Sequence, residues 1–314
     1  MSYTPLQNPV PIKDQKWPDG TQPLVTTRTM TYNHVNFIDE CIEGILMQET
    51  TFPVQVLIHD DASDDGTVEK LREYEKKYPN ALKIYFQEVN SYRSPKKKAL
   101  REPFFSQIKG KYLALCEGDD YWTDATKLQK QAEFLESHDD YVIAYHDAVV
   151  VDPEGKLLED SKMSDEKKKD SSAEDLISGS SHILTLSMMY RNMGNIRESC
   201  IEAKYIKNGD NLLTAFLGQF GKGKYMSDIK PAVYLRHSGG IWSSLSEKEK
   251  EASKLNSYFW MYQYFKRIDN PIGKRAYFKK VGQLMNKTDD EYNLIMVKKG
   301  FFSKIVSFIA RISN

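Results

Sequence analysis

From residue 24 to residue 151, short runs rich in apolar and β-branched residues alternate with longer amphipathic stretches, and this alternation restricts the chain to few architectures. Residues 24–29, 54–59, 82–86, 111–116 and 141–151 have the length and composition of strands. Between them, residues 37–48 place Ile38, Ile42, Ile45 and Leu46 on one helical face, and residues 67–77 and 126–137 have helical periodicity as well. Strands separated by helices join through right-handed crossovers into a largely parallel sheet, which binds ligands at the carboxyl ends of its strands. The expected class is α/β, with a Rossmann-like, mixed but mostly parallel central sheet flanked by helices.

Acidic residues collect where those strands end. Glu117-Gly118-Asp119-Asp120-Tyr121 places three carboxylates directly after the apolar run 112–116. Carboxylates crowded in this way repel one another unless a cation or strong hydrogen-bond donors sit among them. Hard divalent ions are held by one or two carboxylates together with the phosphates of a substrate, so the cluster suits a metal-bound nucleotide; an acidic surface turn has the same composition. A second acidic segment, His59-Asp60-Asp61-Ala62-Ser63-Asp64-Asp65-Gly66-Thr67, stands between a strand and a helix. A carboxylate there can accept the ring N–H of a pyrimidine, and Gly66 permits the tight turn; the alternative is a solvated, self-capping turn. A calcium loop is excluded: Asp61, Ser63, Asp65 and Gly66 fit its early positions, but Arg72 stands where the bidentate glutamate is required.

Charge and motifs remove further classes. Lys plus Arg and Asp plus Glu both number 44, so no whole-molecule field draws the chain to nucleic acid. Cys41, Cys116 and Cys200 are odd in number and sit in apolar surroundings, which points to reduced packing residues and a cytoplasmic setting. No run approaches the ~18 apolar residues of a membrane span, and the first 20 residues, with several prolines, read as an extended arm and not as a signal peptide. Neither a G-x-G-x-x-G after the first strand nor a G-x-x-x-x-G-K-[ST] is present, which disfavours dehydrogenases and P-loop enzymes.

Taken jointly, Thr31-Tyr32-Asn33, the segment Asp60 to Thr67, Lys109-Gly110-Lys111-Tyr112 and Glu117-Gly118-Asp119-Asp120 follow an order that resembles the GT-A glycosyltransferases of inverting family 2, over roughly residues 23–243. The resemblance implies a nucleotide-sugar donor, usually a UDP-sugar, and a divalent metal, Mn²⁺ or Mg²⁺, on its diphosphate. It places Thr31 and Tyr32 at the nucleotide, Asp61 on the uracil, Arg101 near the nucleotide, Asp119 on the ribose or donor sugar and Asp120 on the metal. Glu117 replaces the Asp more usual at the first position of the DXD-like motif. Asp210, in Gly209-Asp210-Asn211, lies where the family carries its base, with Gly209 in place of a Glu; a helix N-cap is the other role open to it. In Leu235 to Trp242, Arg236 or His237 would neutralise the departing diphosphate, His237 would complete the metal shell and Trp242 would stack on a sugar.

The organisation implied is an arm (1–20), a GT-A domain (21–245) with a charged, mobile connection at 153–180, and a C-terminal helical region (246–314). In the last stretch Phe301, Phe302, Ile305, Val306, Phe308, Ile309 and Ile312 form one helical side opposite Lys304 and Arg311. That pattern suits peripheral contact with the inner face of an anionic membrane, where lipid-linked acceptors reside, or docking on protein. The expected activity is transfer of a hexosyl or N-acetylhexosaminyl unit to a hydroxyl of a glycan or lipid-linked acceptor in surface polysaccharide synthesis. A nucleotidyltransferase and a non-catalytic sugar-nucleotide-binding protein are the alternatives.

Overall fold

The computed structural model describes residues 3–92, 94, 96–194, 196–240, 242 and 244–285; the amphipathic stretch 301–312 lies outside them. The chain divides into two compact units, one of Met1–Ser171, His182–Asn192 and Phe220–Arg236, the other of Ser172–Ser181, Met193–Gln219 and the chain from His237 onward.

In the first unit, β1 (Val10–Pro11) pairs with β3 (Glu49–Thr50), and β2 (Val25–Thr31) runs through α1 (Ile38–Leu46) towards β4 (Val54–Asp60). Then come α2 (Thr67–Lys77), β5 (Leu82–Phe86), α3 (Lys97–Phe105), β6 (Tyr112–Leu115), α4 (Lys127–Ser137), β7 (Tyr141–Tyr145), β8 (Ala148–Val151) and β9 (Leu157–Glu159). After an excursion into the second unit, β10 (Met189–Arg191), β11 (Lys222–Tyr225) and β12 (Ala232–Leu235) complete it. The main sheet has the order β11-β7-β10-β6-β2-β4-β5, parallel throughout except for β10, which is antiparallel to both neighbours. Every residue of β6 is buried, as a central strand covered on both faces requires. Helix α1 buries Ile38, Cys41, Ile42, Ile45 and Leu46. A Cβ on Gly44 would stand 2.8 Å from the Trp122 carbonyl, so only glycine lets α1 approach that closely.

The stretch 141–151, continuous by its apolar pattern, is two strands in two sheets. Asp147 interrupts it: its Oδ1 accepts the N–H of Ala148 at 2.8 Å and that of Met163 at 3.0 Å, turning the chain into a small sheet of order β12-β8-β9. Residues 153–180, expected as a mobile connection, carry β9, a 3-10 turn at Asp165–Lys167 and α5 (Ala173–Ser178). Charged side chains there make local structure: Ser172 and Asp175 form a capping box at the start of α5.

The second unit is helical, with α5, α6 (Ile196–Ser199), α7 (Gly209–Leu217), α8 (Glu247–Arg267) and α9 (Pro271–Met285). Phe265 of α8 and Tyr277 of α9 stack with centroids 5.6 Å apart, and a Cβ on Gly273 would fall 2.2 Å from the Phe265 ring. No helix among the described residues is long and apolar enough to cross a membrane.

Candidate active site

Three neighbouring strands, β6, β2 and β4, end at one edge of the main sheet and bring the acidic segments together. The loop after β2 is braced by the second acidic segment. Ser63 Oγ accepts the Asn33 N–H at 2.9 Å, Thr67 Oγ1 the His34 N–H at 2.9 Å and Asp65 Oδ2 the Val35 N–H at 3.0 Å. Asn33, at φ 58°, exchanges two further hydrogen bonds with Asp64. Gly66, at φ 103°, supplies the left-handed turn into α2. Ser63, Asp64, Asp65 and Thr67 are thus spent on holding Asn33, His34 and Val35 in place. Within that loop Thr31 is buried and Tyr32 exposed.

Asp60 and Asp61 have opposite surroundings. Burial raises the Asp60 carboxyl above its usual range, although Ser63 donates to it from both hydroxyl and backbone. Burial works in the same direction on Asp61 but is overcome by Ser91 and Arg101, and its carboxyl is held below the usual range. Asp61 Oδ1 accepts the Ser91 N–H at 2.8 Å and the Ser91 hydroxyl; Oδ2 accepts the Tyr92 N–H at 3.0 Å and the Arg101 guanidinium at 2.9 Å. A carboxylate has about four lone-pair sites, and all four are engaged. Arg101 also donates to Ser91 Oγ at 2.6 Å, closing the network. It stands on α3, a helix that sequence periodicity missed because Pro103 lies inside it.

The first acidic segment forms a tight turn beyond β6. A Cβ on Gly118 would lie 2.7 Å from Thr31 Cβ and 2.9 Å from His34 Nδ1, so glycine lets the turn press against the loop after β2. Half-buried Asp119 has an oxygen 3.8 Å from His34 Nε2. Asp120 is 5% exposed, and its Oδ1 accepts the Leu235 N–H of β12 at 3.0 Å. Burial, and after it the charge of Asp119, push the Asp120 carboxyl well above the usual range; Glu117 adds to this. Arg236, which follows β12, pairs with Glu159 of β9. The first unit therefore gathers Thr31, Tyr32, Asp61, Arg101, Glu117, Asp119, Asp120 and Arg236. His34, which sequence reasoning passed over, joins them; its only signal was its position directly after Thr31-Tyr32-Asn33.

A profile of glycosyl transferase family 2 matches residues 29–193, more than half of the chain. The chain belongs to glycosyl transferase family 2. An uncharacterised protein of Mycobacterium tuberculosis is 32% identical over 216 residues, 69% of this chain and 60% of that protein. The putative teichuronic acid biosynthesis glycosyltransferase TuaG of Bacillus subtilis is 32% identical over 36% of this chain and 42% of its own. The chain thus spans less than two thirds of the length of these relatives. Among solved structures, S. aureus TarS 1–349 in complex with UDP-GlcNAc superposes with a TM-score of 0.55 at 18% identity, covering 83% of this chain and 71% of TarS. The mannosyltransferase PcManGT from Pyrobaculum calidifontis, with GDP-Man and Mn²⁺, has a TM-score of 0.51 at 13% identity, covering 95% of this chain and 83% of its own. The fold of this family 2 member is the GT-A fold expected from the order of its motifs.

The second unit carries the remaining candidates. Asp210 lies in the first turn of α7, inside the helix, while the N-cap position belongs to Asn208; its side chain is exposed. Glu202, another carboxylate of this unit, is buried against Arg267 with two contacts of 2.8 Å. Trp242 is 39% exposed, with the Lys254 ammonium 5.8 Å from its ring centroid. His237 opens this unit's last segment, and a Cβ on Gly239 would lie 3.2 Å from its Nδ1.

Proposed function

We propose that the chain is an inverting glycosyltransferase that takes its sugar from a UDP-sugar and uses a divalent cation. The observation that carries this is that the Asp61–Ser91–Arg101 network and the Glu117–Asp120 turn stand at the carboxyl ends of β4 and β6, the parallel strands on either side of β2, where such sheets bind nucleotides. Asp61 and Arg101 form a wall of the nucleotide pocket with Thr31 and Tyr32. Because four donors already fill Asp61, a contact from it to the base requires one of them to give way.

The metal expected at Asp120 is better assigned to Asp119, supported by His34 and Glu117. Asp120 is sealed under β12 and holds a backbone N–H, whereas Asp119 is half-buried beside an imidazole. An oxygen and nitrogen donor set suits Mn²⁺, and the mutual repulsion of three carboxylates is what a cation would relieve. His237, two residues beyond the Leu235 that Asp120 anchors, is a further ligand in this proposal. A bound cation would neutralise the diphosphate as it leaves.

Asp210 is assigned as the base that takes the proton of the acceptor hydroxyl as it attacks the anomeric carbon from the face opposite the leaving group. Trp242 offers an aromatic face to a sugar. Bound sugar nucleotides in the TarS and PcManGT structures support the donor class, and the name of TuaG supports a surface polysaccharide or lipid-linked glycan as acceptor. Thermal melts with a panel of UDP- and GDP-sugars, with and without Mn²⁺, test the proposal. A UDP-sugar at about 100 times its Kd should add roughly 2.7 kcal/mol of stability, and only with the metal. No stabilisation by any sugar nucleotide overturns it.

A further inference from the structure

Lys162 lies three residues beyond β9, in the segment whose sequence reads only as a charged connection. Its backbone N–H donates to the Ala148 carbonyl at 2.7 Å, which pins it beside β8. Its ammonium rests 3.4 Å from the centroid of the Tyr234 ring. Exposed lysines extend into water on a flexible stem, so contact at that distance is a specific holding geometry for the cation. Tyr234 is followed by Leu235, whose N–H is bound by Asp120, and then by Arg236, whose charge is answered by Glu159. One strand thus ties the Lys162 ammonium to the Glu117–Asp120 turn.

The lysine is not simply a counterion of that turn. Among the described residues no carboxylate oxygen lies within 4.0 Å of its nitrogen. Burial lowers its pKa, Asp120 supports its charge from a distance and Arg236 opposes it. Lys162 is half-buried, with one side of its ammonium on an aromatic face and N–H donors uncommitted to any carboxylate.

We propose that Lys162 is a donor-binding residue whose ammonium, fixed on Tyr234, contacts the diphosphate of the nucleotide sugar beside the Glu117–Asp120 turn. This rests on the nucleotide-sugar function proposed above. A cation already immobilised loses little entropy on meeting a phosphate, and it stays in place to stabilise the diphosphate when the sugar leaves.

Calorimetric titration in Mn²⁺ of UDP and of uridine, which lacks the phosphates, tests it on the wild type, Lys162→Met and Lys162→Arg. The Met variant should lose about tenfold or more in UDP affinity with uridine binding unchanged, and the Arg variant should recover most of the loss. Equal UDP affinity in the wild type and the Met variant overturns the assignment while the nucleotide-sugar function stands. So does a parallel loss of UDP and uridine, which marks a structural role, or a wild type that binds UDP no tighter than uridine. A wild type that binds neither overturns both proposals. If the Met variant does not fold, Lys162→Gln in the same titration decides by the same outcomes.

Discussion

The Asp61 carboxylate and the Arg101 guanidinium meet at 2.9 Å across 40 residues of chain, both largely shielded from solvent. This pair clamps the segment around Ser91 onto the end of β4, because the same carboxylate holds the Ser91 and Tyr92 N–H groups. Removing only the cation leaves a buried charge with too few partners, so Arg101→Met should destabilise the first unit by about 3 kcal/mol, read as a lower urea midpoint.

The same pair sets an acid limit. The folded Asp61 pKa is depressed, so its contribution is fully present above the unfolded value of about 4 and is lost as pH falls through the lower folded value. Urea titrations from pH 6 down to pH 2 should show the wild type losing more stability than Asp61→Asn, which has no charge to lose. Parallel curves would show that the pair contributes nothing.

Asp119 and Asp120 separate metal binding from folding. Asp119→Ala should abolish Mn²⁺-dependent binding of UDP while changing stability by no more than about 0.5 kcal/mol, as for a surface substitution. Asp120→Ala strands the Leu235 N–H and should cost about 1–3 kcal/mol. Calorimetry and denaturation of the two variants give the comparison; Mn²⁺-dependent binding that survives in folded Asp119→Ala returns the metal to Asp120.

These pairings show what the sequence could and could not carry. The strand and helix order, the two acidic turns and the fold were legible because period and turn residues are local signals, and Gly66 and Gly118 occupy positions that demand glycine. The partners of the acids were not. Nothing near Asp61 announces Ser91, nothing near Asp119 announces His34, and the Asp120 to Leu235 bond joins residues 115 positions apart. The apolar run 141–151 hid a change of sheet because Asp147 acts through the backbone N–H groups of its neighbour Ala148 and of Met163, further along the chain.

Lys127 predicts a second pH effect. It is fully buried under the Trp122 ring, at 4.1 Å, and donates to Gln131 at 2.7 Å. Burial pushes its pKa down to about 7, against smaller opposing contributions from Cys116 and Asp124. Between pH 7 and the unfolded value of about 10.4 the unfolded chain holds a proton that the folded chain has released, so stability rises with pH in that window. Lys127→Met should remove this rise: from pH 7 to pH 9 the wild type should gain roughly 2 kcal/mol relative to the variant in urea unfolding. Equal slopes would place a charged lysine in the core.

Asp210 and Glu202 offer the sharpest test of the chemistry. Asp210 is exposed in the first turn of α7, free of the capping role that its sequence context also allowed, whereas Glu202 is locked to Arg267. An amide cannot take the proton of an attacking hydroxyl, so Asp210→Asn should bind UDP-sugar normally and transfer at least about 10²-fold more slowly. Glu202→Gln should weaken the ion pair and lower stability while leaving the rate per folded molecule near normal. Turnover with a matched donor and acceptor, normalised to the folded fraction, decides between them. Near-normal transfer by Asp210→Asn would move the base to another carboxylate, and a collapse of turnover in folded Glu202→Gln would give it to Glu202.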